Sequence, residues 1–300
     1  MALLPQLGTP QQFEKARRVL RNLGYDEQSV CARTHITSIF HFKTLTEGRT
    51  AAVDLRDGLD ILIRLLLDCE QVAESQVEYL LPAETIAALE SLRLMVQIGT
   101  HGDYFGTLRL APIEGLYVAS DRSPPLDPEM LLNGTNPVPD AISPITGEFL
   151  KSLPRRQCDS LLDLYCGSAV KGLLYAAVAK RVWACDCDER SIHFAKFNRQ
   201  LNAILNVACV QGELYEGLRG ETFERIVAQP PENALPGIIE GLPRHLRPGG
   251  RFDALVEMDE QAESLKDGIS QWLGSIGCEF TIALSTPGDQ ASTTVCIERQ

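Results

Sequence analysis

The second half of the chain predicts an α/β fold on a seven-stranded, mostly parallel sheet, with a mainly helical domain placed before it. Three observations carry this reading. After Leu153, aliphatic strand-like runs alternate with helical patterns across short loops, as in successive βα units. Residues 160–174 pass from an apolar strand (Leu161, Leu162, Leu164) through the small-residue turn Cys166, Gly167, Ser168, Ala169 into a Leu/Ala-rich helix, the start of a nucleotide-binding unit. The last two strand-like runs are separated by residues 285–293 alone, which include Pro287, Gly288 and Asp289, so they form an antiparallel hairpin.

In chain order, residues 10–24 place Phe13, Ala16, Val19, Leu20 and Leu23 at helical spacing. Lys15, Arg17, Arg18 and Arg21 fall largely on the other side, read as a solvated face, and the helix stops near Gly24. Further helical patterns cover 59–69, 75–81 and 83–94. Extended stretches follow at 95–98 and 107–110, with His101-Gly102-Asp103 turn chemistry between them. Helices followed by a hairpin is the order of a winged helix-turn-helix. The candidate recognition helix, however, carries Glu84 and Glu90 against Arg93, and a groove reader needs Arg, Lys, Asn or Gln there. Residues 1–120 are therefore expected to recruit substrate or to pack. Residues 121–157 hold Pro124, Pro125, Pro128, Pro137, Pro139 and Pro144 and predict an ordered crossover or lid beside the cleft.

From 158 to 300, strands are expected at 161–166, 182–186, 207–211, 225–229, 252–257, 280–284 and 294–298. Helices are expected at 173–179, 189–203, 235–245 and 260–276, with 214–218 ambiguous. Composition agrees with an ordinary globular chain: 300 residues, 44% hydrophobic and 23% charged. No apolar run reaches the roughly 18 residues of a membrane span, and the amino terminus lacks signal-peptide order, so the expectation is a cytoplasmic chain. A net charge of −12, spread over both halves, disfavours duplex DNA as a partner. The nine cysteines are scattered, which reads as reduced, buried thiols. Cys185, Cys187 and His193 lack a second spaced pair, so no metal is expected, and Ser168 lacks the first glycine of a nucleophile elbow.

Small or acidic residues recur where strands end, which is where open parallel sheets bind ligands. Asp163 precedes the Cys166–Ala169 turn, Asp186 follows roughly 20 residues on, the distance of a ribose-binding acid, and Glu213 lies past the third strand. With their neighbours these residues resemble class I S-adenosylmethionine-dependent methyltransferases, a Rossmann-like family, over about residues 158–300. The matching segments are Leu162-Asp-Leu-Tyr-Cys-Gly167, Ala184-Cys-Asp-Cys-Asp-Glu-Arg190, Gln211-Gly-Glu-Leu214, Val227-Ala-Gln-Pro-Pro231 and Leu246-Arg-Pro-Gly-Gly-Arg251. The segment from Ala195 to Asn202, and more weakly Leu116-Tyr-Val-Ala-Ser-Asp121 after a helical amino-terminal region, are similar to HemK-like enzymes.

The resemblance implies S-adenosylmethionine as cofactor. Asp163 with the backbone of Cys166, Gly167 and Ser168 would surround its methionine part, Asp186 would bind its ribose, Glu213 and Leu214 would lie near its adenine and Gln229 beside the transferred methyl group, with Tyr165 and Cys187 also among the cofactor-binding residues. It also implies that Gln229 and the Pro230 carbonyl orient the acceptor, an unidentified nitrogen or oxygen nucleophile of protein, RNA or metabolite. The chain departs from the family at Tyr165 and Ala169, where glycine is frequent, and at Gln229-Pro-Pro-Glu232, where HemK-like enzymes carry Asn-Pro-Pro-Tyr. Gln229 keeps the amide on one more methylene. Glu232 replaces an aromatic face by a carboxylate, readable either as a base or as a solvated loop charge. The altered segment also leaves open a cofactor-binding regulatory or scaffold protein.

Overall fold

The computed structural model describes residues 4–44, 48, 55–98, 102–122, 137–218, 220–257, 262–274, 280–285 and 292–300. Most of the proline-rich stretch, at 123–136, and His101 lie outside the described residues. The chain divides into two units, residues 1–147 with 196–203, and residues 148–195 with 204–300.

The first unit opens with α1 (Pro10–Asn22). Thr9 and Gln12 cap it reciprocally: Gln12 N–H donates to Thr9 Oγ1 at 3.3 Å and Thr9 N–H to Gln12 Oε1 at 2.8 Å. Phe13, Ala16, Val19 and Leu20 are buried, as their spacing predicts. Helix α2 (Glu27–Thr34) has no counterpart in the sequence pattern, because Val30 is its one fully buried residue and no periodic face shows. Helix α3 (Gly58–Leu62) starts on an Asp57 cap and runs directly into a π-helical turn over Ile63–Leu67, so the expected 59–69 helix is not one α-helix. After β1 (Gln71–Val72) come α4 (Glu74–Leu80) and α5 (Ala83–Ser91), then β2 (Met95–Ile98) and β3 (Asp103–Gly106), an antiparallel sheet in the order β1-β3-β2. Gly106 must be glycine. A Cβ there would stand 1.7 Å from the Leu65 carbonyl oxygen of the π-turn.

The extended stretch expected at 107–110 instead straddles a bend. Thr107 donates its N–H to the Leu94 carbonyl at 3.2 Å and its hydroxyl to the Arg93 carbonyl, separating β3 from β4 (Arg109–Ile113). Strand β5 (Leu116–Ser120) pairs with β4 across the two-residue turn Glu114-Gly115, whose φ values of +47° and +82° suit the twist of a tight hairpin. Helix α6 (Pro144–Ser152) follows, unannounced by a sequence dominated there by proline.

In the second unit β6 (Cys158–Leu164), α7 (Val170–Tyr175), β7 (Ala179–Asp186), α8 (Glu189–Leu201), β8 (Val207–Gln211), β9 (Phe223–Ala228), α9 (Leu235–His245), β10 (Leu246–Glu257), α10 (Ala262–Gly274), β11 (Phe280–Ser285) and β12 (Ser292–Arg299) follow one another. The sheet order is β11-β12-β10-β9-β6-β7-β8. Strands β8, β7, β6, β9 and β10 pair in parallel, and β12 runs antiparallel to both β10 and β11, the single reversed strand that the sequence implies. Leu162, Ile226, Phe252, Ala254, Val295, Ile238 and Leu242 are among the fully buried residues that join sheet and helices into one core. Residues 214–218 form turns rather than a helix.

The last residues of α8 and the two that follow it, 196–203, belong to the first unit. There Asn198 accepts from the Ala119 N–H at 2.7 Å and donates to the Ala119 carbonyl at 2.9 Å. Asn202 accepts from the Tyr117 N–H at 2.8 Å and donates to the Tyr117 carbonyl at 2.7 Å. The edge of β5 is thus finished by side-chain amides instead of another strand.

Candidate cofactor and acceptor site

The chain winds from β6 through β7 to β8 on one side of the sheet and through β9 to β10 on the other. The order therefore reverses between β6 and β9, and the carboxyl ends of strands at such a point form a ligand crevice. Register places the candidates there. Leu164 pairs with Cys185 on β7 and with Ala228 on β9, so Tyr165, Asp186 and Gln229 stand in one row, each about 4.8 Å from the next strand.

The turn after β6 is tightly wound: Tyr165, Gly167 and Ala169 all adopt positive φ, at +51°, +53° and +62°. Two of the three are not glycine, which stores strain that surrounding bonds must hold. Cys166 N–H donates to the Cys185 carbonyl at 3.1 Å, and Ala169 N–H to the Cys166 carbonyl at 2.7 Å. Gly167 N–H donates to Asp186 Oδ2 at 2.9 Å, while Asp186 Oδ1 accepts from Asp188 N–H at 3.0 Å. Asp186 is buried and its carboxyl is raised, chiefly by that burial, with the two N–H groups opposing the shift. Each of its oxygens retains a lone pair for a ligand hydroxyl.

Asp163 lies beneath the turn, fully buried. Its Oδ2 accepts from Gly172 N–H at 2.8 Å, and Lys171 Nζ stands 3.3 Å from Oδ1. Burial pushes the Asp163 carboxyl up to about 6 against the pull of Lys171. The acid expected to surround a ligand thus braces the start of α7. The sequence pattern does not single out Lys171; its one signal is a charge at the head of an otherwise apolar helix.

Leu164, Tyr165, Cys185, Asp186, Cys187, Gly212 and Leu214 line a shallow surface indentation. Cys185 is buried, with Sγ 3.5 Å from the Leu214 carbonyl, whereas Cys187 is exposed just past the end of β7. The strand alternation that would aim both thiols to one side ends at Asp186. Burial raises the thiols of Cys166, Cys185 and Cys187, so none is poised as a nucleophile. Burial likewise pushes the Tyr165 hydroxyl up to about 12, and the ring is half-buried. Ser168 and Ala169 are buried, so the Ala169 methyl group faces protein. Glu213 is exposed, Gln229 half-buried and Pro230 buried. Glu232 opens the 3₁₀ turn Glu232–Ala234, and its side chain lies outside the described residues. The structure therefore gathers Tyr165, Asp186, Cys187 and Leu214 around one indentation, with Gln229 aligned on the far side of β6.

Residues 141–276 match the family model of the methyltransferase small domain. A ribosomal protein L11 methyltransferase from Desulfatibacillum aliphaticivorans is 28% identical over 162 residues, 52% of this chain and 49% of the relative. Another, from Thermoanaerobacter pseudethanolicus, is 29% identical over 126 residues, 42% of this chain and 40% of the relative. The chain spans less than half the length of the curated relatives it matches. The crystal structure of a ribosomal protein L11 methylase from Lactobacillus delbrueckii subsp. bulgaricus is similar at 21% identity and a TM-score of 0.44, over 52% of this chain and 78% of that one.

Proposed function

We propose that this chain, whose second unit carries a methyltransferase small domain of the class I fold, transfers a methyl group from S-adenosylmethionine to a nitrogen or oxygen nucleophile. The observation that carries the reading is the buried Asp186 carboxylate, fixed by Gly167 and Asp188 N–H groups at the carboxyl edge and aligned with Gln229. The residues present fit the nucleoside end of the cofactor: an acid with spare lone pairs for ribose hydroxyls stands beside Leu214 and the Tyr165 ring. The indentation is shallow and encloses no pocket of its own, so it would mark where the nucleoside end of the ligand lies rather than contain it. The Tyr165–Ser168 turn, backed by Asp163, would hold the methionine portion, and Cys187, Glu213 and Leu214 would flank the sugar and the base.

Bound S-adenosylmethionine supplies a methyl group on a positively charged sulfur, so the protein's task is chiefly orientation in a dry site. The Gln229 side-chain oxygen and the Pro230 carbonyl would accept hydrogen bonds from the acceptor and aim its lone pair, and Glu232 would take the proton released on transfer. The first unit, as a substrate-recruiting domain, would select among protein, RNA and small-molecule acceptors. Among the described residues no helix is long and apolar enough to cross a membrane.

The test is calorimetric titration with S-adenosylmethionine and S-adenosylhomocysteine, repeated on Asp186→Ala. The expected result is micromolar binding that weakens by about a hundredfold in a folded variant, the loss of two charge-assisted hydrogen bonds. Unchanged affinity in Asp186→Ala would remove the ribose site. A folded wild type that binds neither ligand would sink the enzyme reading in favour of a scaffold.

A further inference from the structure

A buried charge pair lies beneath the turn assigned to the cofactor, and the role inferred for the pair rests on that assignment. Asp163 stands two residues before Tyr165, and Lys171 two residues after Ala169. The pair therefore closes the base of the loop, between the end of β6 and the start of α7. Lys171 is 3% exposed and Asp163 0%, with Nζ and Oδ1 3.3 Å apart. That contact is longer than a charge-assisted hydrogen bond, so the ammonium answers the carboxylate mainly by charge. The directed bond is the 2.8 Å one from Gly172 N–H to Oδ2, which ties the first turn of α7 to β6. Gly172 fits closely: a Cβ there would stand 3.2 Å from Asp163 Oδ2 and 3.2 Å from Val182 Cγ1.

The surroundings make the lysine necessary. Asp186 on β7 also faces Asp163 and repels its charge, and the thiols of Cys166 and Cys185 stay neutral beside it. Lys171 is the cation that opposes burial at this carboxylate. A carboxylate buried without a counter-charge takes up a proton near neutral pH. A protonated Asp163 would accept the Gly172 N–H more weakly and release the helix start that shapes the strained turn.

We propose that Lys171 is a positioning residue of the cofactor turn: its buried ammonium keeps Asp163 ionised, and ionised Asp163 fixes α7 to β6, holding residues 165–169 in the left-handed path that delivers Gly167 N–H to Asp186.

The test measures S-adenosylhomocysteine affinity and thermal unfolding from pH 5.5 to 9.5 on wild type, Lys171→Met, Asp163→Asn and the double variant. At pH 8, Lys171→Met is expected to bind about tenfold more weakly, because breaking a buried pair strands the other charge. Its melting temperature rises as the pH falls and Asp163 becomes neutral, and its affinity gap to wild type closes below about pH 6, where Asp163 is neutral in both. Asp163→Asn strands the ammonium and shows the opposite slope, gaining stability as the pH rises, so it decides the matter even if Lys171→Met does not fold at neutral pH. The double variant, with no buried charge and a neutral amide oxygen for Gly172, is expected flat with pH, at the affinity that wild type and Lys171→Met share where Asp163 is neutral. A Lys171→Met protein that follows wild type throughout, or loses the same amount at every pH, overturns the proposal. If wild type binds no cofactor, the cofactor reading fails separately, and amide exchange at Gly167 and Gly172 still decides this one: faster in Lys171→Met than in wild type at pH 8 supports it, and equal rates overturn it.

Discussion

In the first unit Asn198 and Asn202 lie along the edge of β5 and exchange both kinds of hydrogen bond with it; in the second, Asp163 and Asp186 accept from backbone N–H groups and donate none, with the Lys171 ammonium beside Asp163. A strand edge presents N–H and C=O together, so it is answered by an amide, which donates and accepts. A helix start or tight turn presents N–H groups, so a carboxylate suffices. The asparagine geometry follows from two repeats: four residues of helix rise about 6 Å, and two residues of strand about 6.8 Å, so an i,i+4 pair meets alternate strand residues. The carboxylates keep lone pairs that the amides have given to the strand. That difference explains why the ligand is assigned to Asp186 and the clamp to the amides.

The largest effect is expected from Asn198→Asp. Asn198 is wholly buried, and the change removes the donor to the Ala119 carbonyl while burying a new charge. The expected destabilisation is about 4 kcal/mol by denaturant unfolding. The new carboxyl would have its pKa raised by burial, so stability returns as the pH falls and the protonated acid donates again. A loss below about 1 kcal/mol would show that the β5 edge is satisfied in some other way.

Asp186→Asn inverts the exchange, placing an amide where N–H groups converge. One of Gly167 and Asp188 then loses its acceptor, an expected stability loss of about 1 kcal/mol, while cofactor affinity drops about tenfold or more as the charge-assisted ribose bonds weaken. Equal loss of stability and affinity would mean that the acid serves the turn alone.

The parts legible in the sequence are those written in apolar periodicity. The strands of the second unit, α8, α9 and the terminal hairpin show in aliphatic runs and turn residues, and Asp186 and Gln229 fall where strands end. Polar residues with buried work leave no such mark. The periodicity singles out the buried role of neither Asn198 nor Lys171, because burial of a polar group is legible only through its partner, and those partners are brought up by the fold. Asp163 reads as facing a ligand because its position on the strand is right, yet its side chain turns under the loop. Helix α2 is hidden for want of a buried stripe. In β10, Leu246-Arg-Pro-Gly-Gly reads as a loop, whereas pairing with β9 already begins at Leu246 and resumes at Arg251 after an irregularity that Gly249, at φ +74°, allows.

The smallest effect distinguishes burial from bonding. Asn202 makes the same two bonds to Tyr117 that Asn198 makes to Ala119, and adds a third, from Nδ2 to the Asn198 carbonyl at 2.8 Å. Judged by the bonds to β5 alone, which the two amides make in the same kind and number, Asn202→Asp would cost as much as Asn198→Asp. Asn202 is half-buried, however, so water can solvate the new charge and replace lost partners, and the expected loss is about 1 kcal/mol. The two sites hold one strand, so a double-mutant cycle should show about 0.5–1 kcal/mol of coupling. Equal single losses with no coupling would mean that each amide acts as an isolated bond. Unequal losses with coupling would mean that dehydration of β5, rather than the count of its hydrogen bonds, makes this edge stable.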